Sequence, residues 1–282
     1  MEDLRFLPPI AKPKKFTPRN WSTVDPLPLS SNQTNCAGTS YDVKRDLESN
    51  VVGFFTGLSI EVWDTKDIGR LCRGGCFGQG TLSRSFPACV RGFGFTETQP
   101  SVQSKEENLA LSFEEAYFLL HELRCLEVQA LDESVLDEFQ LLEKFTKVKR
   151  FFIAHYVAFM YFRAKNWIVK SGIKFGGDFL LYQRGPQFYH ASYIVLVQPI
   201  QSNGEKFSNS VHYLENYDFQ CFNRIAETTA KHLLVLEVHF PKNIDPYNPV
   251  QCIGSLDKFA VSEIFPSHHN YLAARTSHQS KS

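Results

Sequence analysis

The chain has 282 residues, 43% of them hydrophobic and 25 of them Phe, with 30 Lys+Arg balancing 30 Asp+Glu. This length and apolar content suit two folded domains with their own cores, and the neutral balance points to neither nucleic acid, membrane nor an acidic partner and excludes none of them, since a local patch is enough. The seven cysteines are odd in number and scattered, which suits reduced thiols in an intracellular protein. The start carries no apolar signal segment, and no apolar run approaches the roughly 20 residues that span a bilayer, so a soluble chain with no membrane span is expected.

Residues 1–50 are rich in Pro, Ser, Asn and Thr and read as a flexible N-terminal arm. Lys12, Lys14 and Lys15 within it read either as a solvated cluster or as a short nuclear signal. From Val51 to Thr146 the pattern predicts an N-terminal α+β domain. It starts with a strand at 58–62 and a helix that Asp64 or Thr65 caps and that ends at Gly74-Gly75. The glycine-rich run Gly74-Gly75-Cys76-Phe77-Gly78-Gln79-Gly80 follows a helix, whereas phosphate-cradling loops follow a strand and open a helix, so it reads as a C-cap and turn. Cys72 and Cys76 have no second ligand pair, so buried thiols are expected and no metal. After a polar loop at 96–108, Ser112 and Glu115 form a capping box for a helix whose apolar face is Phe113, Ala116, Leu119, Leu120 and Leu123. Another helix is expected over 134–145.

The second domain, 147–275, opens with a helix over 148–165 that carries Phe152, His155, Tyr156, Phe159 and Phe162 on one stripe. A stripe of that kind is core, and His155 within it reads as a satisfied interior histidine. Strands follow at 167–174, 178–182 and 191–198, then a helix over 217–229, a strongly apolar strand at 232–240 and a last strand at 259–265. The polar tail is 276–282. The expected class is α+β, with helices packed on a mixed sheet.

Tyr182 closes one strand and His190 opens the next across a Gly185-Pro186 turn, which brings a phenol and an imidazole to one end of a sheet. Lys231 lies where the second helix gives way to the strand at His232. Taken singly, each has a structural explanation: a strand-end Tyr, a surface or core His, a Lys favoured by a helix dipole. Together they match the cleavage of RNA through its own 2′-hydroxyl, which needs a base for the 2′ proton, an acid for the 5′-oxygen and a cation for the phosphorane. Proximity of Lys231 is expected to lower the Tyr182 pKa from its reference of about 10. This chemistry requires neither metal nor cofactor, and the motif region carries Asp178 alone among carboxylates.

The runs Gly172-Ile-Lys-Phe-Gly-Gly-Asp-Phe-Leu-Leu-Tyr182, Gly185-Pro186 and Phe188-Tyr-His-Ala-Ser-Tyr193 resemble the catalytic domain of the tRNA-splicing endonucleases, most of all the eukaryotic Sen-two-type catalytic subunit. Upstream, Asp67-Ile68, Gly75 through Ser85 and Leu111-Ser-Phe-Glu-Glu-Ala116 resemble that subunit's N-terminal domain.

The resemblance implies that Tyr182 is the general base, His190 the general acid and Lys231 the phosphorane stabiliser. The expected reaction is cleavage of intron-containing pre-tRNA at the 5′ splice site, leaving a 2′,3′-cyclic phosphate and a 5′-hydroxyl. It further implies that Arg224, seven residues before Lys231, clamps a base in trans with a C-terminal aromatic. Phe265 stands where the family has Trp, so it is either the clamp partner or a core residue. The implied partners are the sister catalytic subunit and two structural subunits in a heterotetramer, joined through the segment 256–265. Localisation is expected to be nuclear, with the cytosolic face of mitochondria as the alternative. The alternative function is a non-catalytic structural or RNA-binding subunit of the same complex.

Overall fold

Local capping chemistry decides where the helices of the first half begin. In the computed structural model, which describes residues 12–14, 50–82, 87, 90, 107–207 and 216–266, the Asp64 carboxylate accepts from the backbone N–H groups of Lys66 and Asp67 and starts helix α1, Thr65–Arg73. Ser112 and Glu115 form the expected capping box on α2, Phe113–Tyr117, which runs on as a wider turn over Phe118–Glu122. Asp137 and Gln140 make a second capping box on α3, Glu138–Val148, a few residues later than the expected start.

These helices pack on a five-stranded sheet whose order is β3-β4-β2-β1-β5, built from β1 (Val51–Phe55), β2 (Ile60–Val62), β3 (Gln79–Gly80), β4 (Leu109–Leu111) and β5 (Leu126–Gln129). Only β2 was foreseen, because the others are two to five residues long and become strands through pairing with distant partners. The expected loop at 96–108 and the tail at 276–282 lie outside the described residues.

The second sheet has the order β10-β9-β8-β7-β6, from β6 (Ile168–Ser171), β7 (Phe179–Tyr182), β8 (Tyr193–Ile200), β9 (His232–His239) and β10 (Ala260–Ile264). β8 and β9 run parallel and the other pairs antiparallel, so the sheet is mixed as expected. All eight residues of the central β8 are buried, as befits a strand covered on both faces. Helix α4, Phe152–Ala164, covers one face and α5, Asn216–Thr228, the other; α6, Pro249–Ile253, completes the chain's helices among the described residues.

The stripe expected on α4 is in fact a helix buried nearly all round, from Phe152 through Phe159. It begins at 152 rather than 148 because Phe151 takes a left-handed φ of 59° that separates it from α3. Its second face meets the N-terminal half, where Tyr117, Phe145, Phe152 and Tyr156 stack edge to face.

Charged groups fasten the two halves. Glu114 and Glu115, consecutive and buried on α2, pair with Lys149 at 2.5 Å and Lys170 at 3.1 Å. The glycine-rich run presents carbonyls to cations: Lys170 Nζ donates to Cys76 O at 2.5 Å and to Gly78 O at 2.7 Å, and Arg163 donates to Gly75 O at 3.1 Å. A phosphate loop does the opposite, turning N–H groups on an anion. Cys72 and Cys76 are buried as expected, and burial pushes the Cys76 thiol up to about 11.

Candidate active site

Topology brings three of the predicted site residues to one end of the second sheet. Tyr182 is the last residue of β7, which runs antiparallel to β8 with Leu181 opposite Tyr193. β8 runs parallel to β9 with Tyr193 opposite His232. The end of β7 and the starts of β8 and β9 therefore share one end of the sheet, with the His190 loop leading into β8. Buried Ser192 ties the three segments, donating its N–H to Leu181 O at 2.8 Å and accepting from His232 N–H at 2.9 Å. Each of those partners is the immediate neighbour of a predicted site residue. With strands about 4.8 Å apart, the backbones at Tyr182 and Lys231, each one strand away from Ser192, stand roughly 10 Å apart.

Side-chain alternation puts Leu180, Ile194, Leu196, Leu233 and Val235 in the apolar cluster under α5, and Tyr182 borders that cluster. Lys231 shares the parity of Leu233 and Val235. Its backbone ends α5 in a tight turn: Lys231 N–H donates to Ala226 O at 2.8 Å and Ala230 N–H to Glu227 O at 3.0 Å, with Ala230 at a left-handed φ of 54°. Lys231 Nζ then folds back to Thr229 O at 2.9 Å and over the Phe175 ring at 4.3 Å. Phe175 reaches that spot because Gly176, at φ 73°, turns the chain and Gly177 passes against β8, where a Cβ would stand 2.5 Å from Ile194 Cγ2.

Burial holds the Lys231 ammonium below its ordinary pKa and pushes the Tyr182 phenol above its own. The expected lowering of Tyr182 by Lys231 is thereby corrected, because removal of the phenol from water is the cause that acts on it. A phenol so placed holds its proton near neutral pH.

His190 is exposed, on a loop that turns tightly where the Phe188 and Tyr189 N–H groups donate to Gly185 O. Gly185 is packed close to Cys76, and an added Cβ would meet the sulfur at 3.1 Å. On its outer side the loop pairs with residues 12–14, which the sequence assigns to a flexible arm: Pro13 bridges Tyr189 in antiparallel fashion.

Arg224 is exposed on α5, on the side of the sheet that carries the smaller apolar cluster. Phe265 packs on the other side, 6.0 Å from the Tyr193 ring, in a cleft of about 160 Å³ that Phe162, Lys165, Trp167 and Glu263 also line. Within one chain these two residues are not brought together. His155 is the interior histidine expected, with Nδ1 3.0 Å from Phe151 O and Nε2 3.1 Å from Asp178 Oδ1. Asp178 also accepts from Val197 N–H at 2.7 Å, so the lone carboxylate of the motif is a packing group for β8.

Sequence reasoning missed Phe175, Ser192 and the segment 12–14. Phe175 lay within the quoted motif beside Gly176-Gly177, and that pair was the available signal of a close turn. Ser192 and residues 12–14 act through backbone groups, which no residue type announces.

Among the described residues no helix is long and apolar enough to cross a membrane. The family model of the tRNA intron endonuclease catalytic C-terminal domain matches residues 152–245, and that of the tRNA intron endonuclease N-terminal domain matches residues 51–142. Among curated proteins, the chain is 35% identical over 156 residues to tRNA-splicing endonuclease subunit Sen2-1 of Arabidopsis thaliana, covering 55% of this chain and 61% of that one. It is 40% identical over 139 residues to tRNA-splicing endonuclease subunit Sen2 of Gallus gallus, covering 49% and 29%, and 34% identical over 147 residues to a probable subunit Sen2 of Oryza sativa, covering 52% and 49%. The matched region thus spans between about a third and three fifths of these relatives. With both halves matched in chain order, this chain belongs to the tRNA intron endonuclease family.

Proposed function

We propose that the chain is a catalytic subunit of a tRNA-splicing endonuclease that cuts intron-containing pre-tRNA at the 5′ splice site. One observation carries the reading: Tyr182, Lys231 and the loop bearing His190 lie at one end of three adjacent strands, tied through Ser192. The 2′-oxygen attacks phosphorus while Tyr182, as phenolate, takes its proton. The P–O5′ bond breaks with its electron pair on O5′, which takes a proton from His190, and Lys231 stabilises the phosphorane charge. The products are a 2′,3′-cyclic phosphate and a 5′-hydroxyl, and the residues supply each step without a metal.

The Lys231 pose supports this role. Its ammonium rests on one carbonyl and a ring face, contacts that it can exchange for a charged phosphate oxygen. Arg224 would clamp a base at the sister subunit's cleavage site, with Phe265 as its aromatic partner across the assembly. The exposed edge strand β10 would carry subunit pairing in a heterotetramer with that sister and two structural subunits.

The test is single-turnover cleavage of pre-tRNA by the reconstituted complex, with the product ends identified. His190→Ala and Lys231→Ala should each slow 5′ splice-site cleavage by about 10²-fold or more. Cleavage at the unaltered rate by either variant, or a product with a 3′-hydroxyl, would refute the assignment.

A further inference from the structure

We propose that Lys12, Pro13 and Lys14 belong to the active-site scaffold, as a short added strand whose backbone positions His190. The segment meets the catalytic loop through three hydrogen bonds. His190 N–H donates to Lys12 O at 3.1 Å, Lys14 N–H donates to Phe188 O at 2.7 Å, and Lys14 Nζ donates to Pro186 O at 2.5 Å. Pro13 stands opposite Tyr189 between the first two.

The residue types suit this pairing. In an antiparallel ladder, opposed residues alternate between a pair that exchanges hydrogen bonds and a pair that does not. The bonds here run from Lys14 and to Lys12, so Pro13 occupies the non-bonded position, where a missing N–H costs nothing. The proline ring fixes its own φ and biases Lys12 toward extended backbone, so the tripeptide is shaped for pairing before it docks. Burial in the contact holds the Lys14 ammonium below its ordinary pKa, the loss of water being the cause.

The loop has few other anchors. Its own turn uses Gly185 O for the Phe188 and Tyr189 N–H groups, Gly185 packs on Cys76, and the next tie is Ser192 on Leu181. Between those anchors, Pro186 O, Phe188 O and His190 N–H point outward, and all three bond to residues 12–14. Removing the segment takes away the one backbone hydrogen bond to the His190 N–H among the described residues, leaving the loop to its Gly185 turn, the Gln187–Cys76 contact and the Ser192 tie. An imidazole must sit within hydrogen-bond reach of the leaving oxygen to protonate it, so loss of that hold lowers the rate of the acid step and leaves substrate affinity intact. The alternative is that Lys12 and Lys14 merely attract RNA phosphates, which would change affinity alone.

The proposal rests on the reading of His190 as general acid, and the experiment separates the two. The reconstituted complex would carry the triple variant Lys12→Gly/Pro13→Gly/Lys14→Gly, with Lys14→Arg and His190→Ala alongside. Each is assayed under single turnover on ordinary pre-tRNA and on a substrate with sulfur in place of the 5′-bridging oxygen, whose thiolate leaves without a proton. The triple variant should cut the ordinary substrate on the order of tenfold to hundredfold more slowly at saturation with KM unchanged. It should cut the sulfur substrate at the unaltered rate, and Lys14→Arg should retain full activity on both. Amide hydrogen exchange across 186–192 should rise in the triple variant while the exchange of β8 stays the same, which excludes general unfolding. If His190→Ala remains slow on the sulfur substrate, the acid reading itself fails. If His190→Ala is rescued there but the triple variant is not, or if the triple variant changes only KM, the positioning role is wrong.

Discussion

Two places in this molecule set a lysine against carbonyl oxygens, and under the proposed function they do opposite work. At the junction of the halves, the Lys170 ammonium has three acceptors, Cys76 O, Gly78 O and the buried Glu115 carboxylate, one for each of its protons. At the end of the second sheet, Lys231 Nζ has Thr229 O as its one hydrogen-bond acceptor among the described residues and otherwise leans on the Phe175 ring. A half-buried cation with an acceptor for every proton holds structure, because any change strands its partners. A partly satisfied one near the surface is free to trade its partners for a phosphate. The chemistry of the side chain is the same in both places, and the completeness of its shell is what separates the scaffold lysine from the proposed site lysine.

Methionine in place of each lysine breaks this comparison most sharply. Lys170→Met leaves the two carbonyls and Glu115 without their cation, although Gly78 N–H at 3.1 Å and Ser112 N–H at 3.0 Å still bond that carboxylate. The cost should be on the order of 3 kcal/mol, seen as a lower urea midpoint. Lys231→Met should stay within about 0.5 kcal/mol of the parent chain while cleavage falls roughly 10²- to 10³-fold. Equal losses of stability in the two variants would mean that Lys231 is scaffold as well.

The neighbouring pair sharpens the same point through pH. Burial alone would raise the Glu114 carboxyl, but Lys149, 2.5 Å away, and then His155 outweigh it and hold the pKa below the ordinary value. A folded pKa below the unfolded one contributes stability that is present above the unfolded pKa and lost as pH falls through the folded pKa. Lys149→Met removes the larger counterweight and leaves burial to push the carboxyl up. Denaturant midpoints measured down the acid range should fall for the parent chain and change less steeply for the variant, which starts lower at neutral pH. An identical acid profile would show that Glu114 is not held by Lys149.

The features legible in the sequence were those written within a few residues of each other. Asp64 before α1, Ser112 with Glu115, and the Tyr182 and His190 pair around a Gly-Pro turn are local signals, and each led to the right element or the right end of a strand. The place of Lys231 at the helix-to-strand junction was legible because that junction is also local. What stayed hidden was fixed by distant pairing. β1, β4 and β5 are short and become strands only through pairing, β1 with β2 and β5 and β4 with β2 and β3. The one-sided stripe expected on α4 omitted the second face, because nothing local says that another half of the chain will cover it. Residues 12–14 looked like a solvated arm since their lysines are polar, whereas their docking depends on backbone groups common to every residue. The pKa expectation for Tyr182 erred in the same way, because the charge of Lys231 is visible in the sequence and the burial of the phenol is not.

The smallest predicted effect concerns the turn that aims Lys231. Ala230 sits at φ 54°, where a Cβ is strained by roughly 1–2 kcal/mol and glycine is not. Its position is imposed by the two bonds that end α5, from Lys231 N–H to Ala226 O and from Ala230 N–H to Glu227 O. Ala230→Gly relieves the strain but adds freedom to the unfolded chain, an offset of about 0.4–1 kcal/mol. The variant should be more stable by about 0.5–1 kcal/mol, read as a higher denaturant midpoint at unchanged slope. Cleavage should be unaffected, since the same bonds still set the direction in which Lys231 leaves the helix. A lower midpoint would mean that the left-handed turn is not adopted in solution, and the placement of Lys231 beside Phe175 would fall with it. A higher midpoint with slower cleavage would instead show that the strained alanine restrains the lysine more tightly than the bonds alone can do.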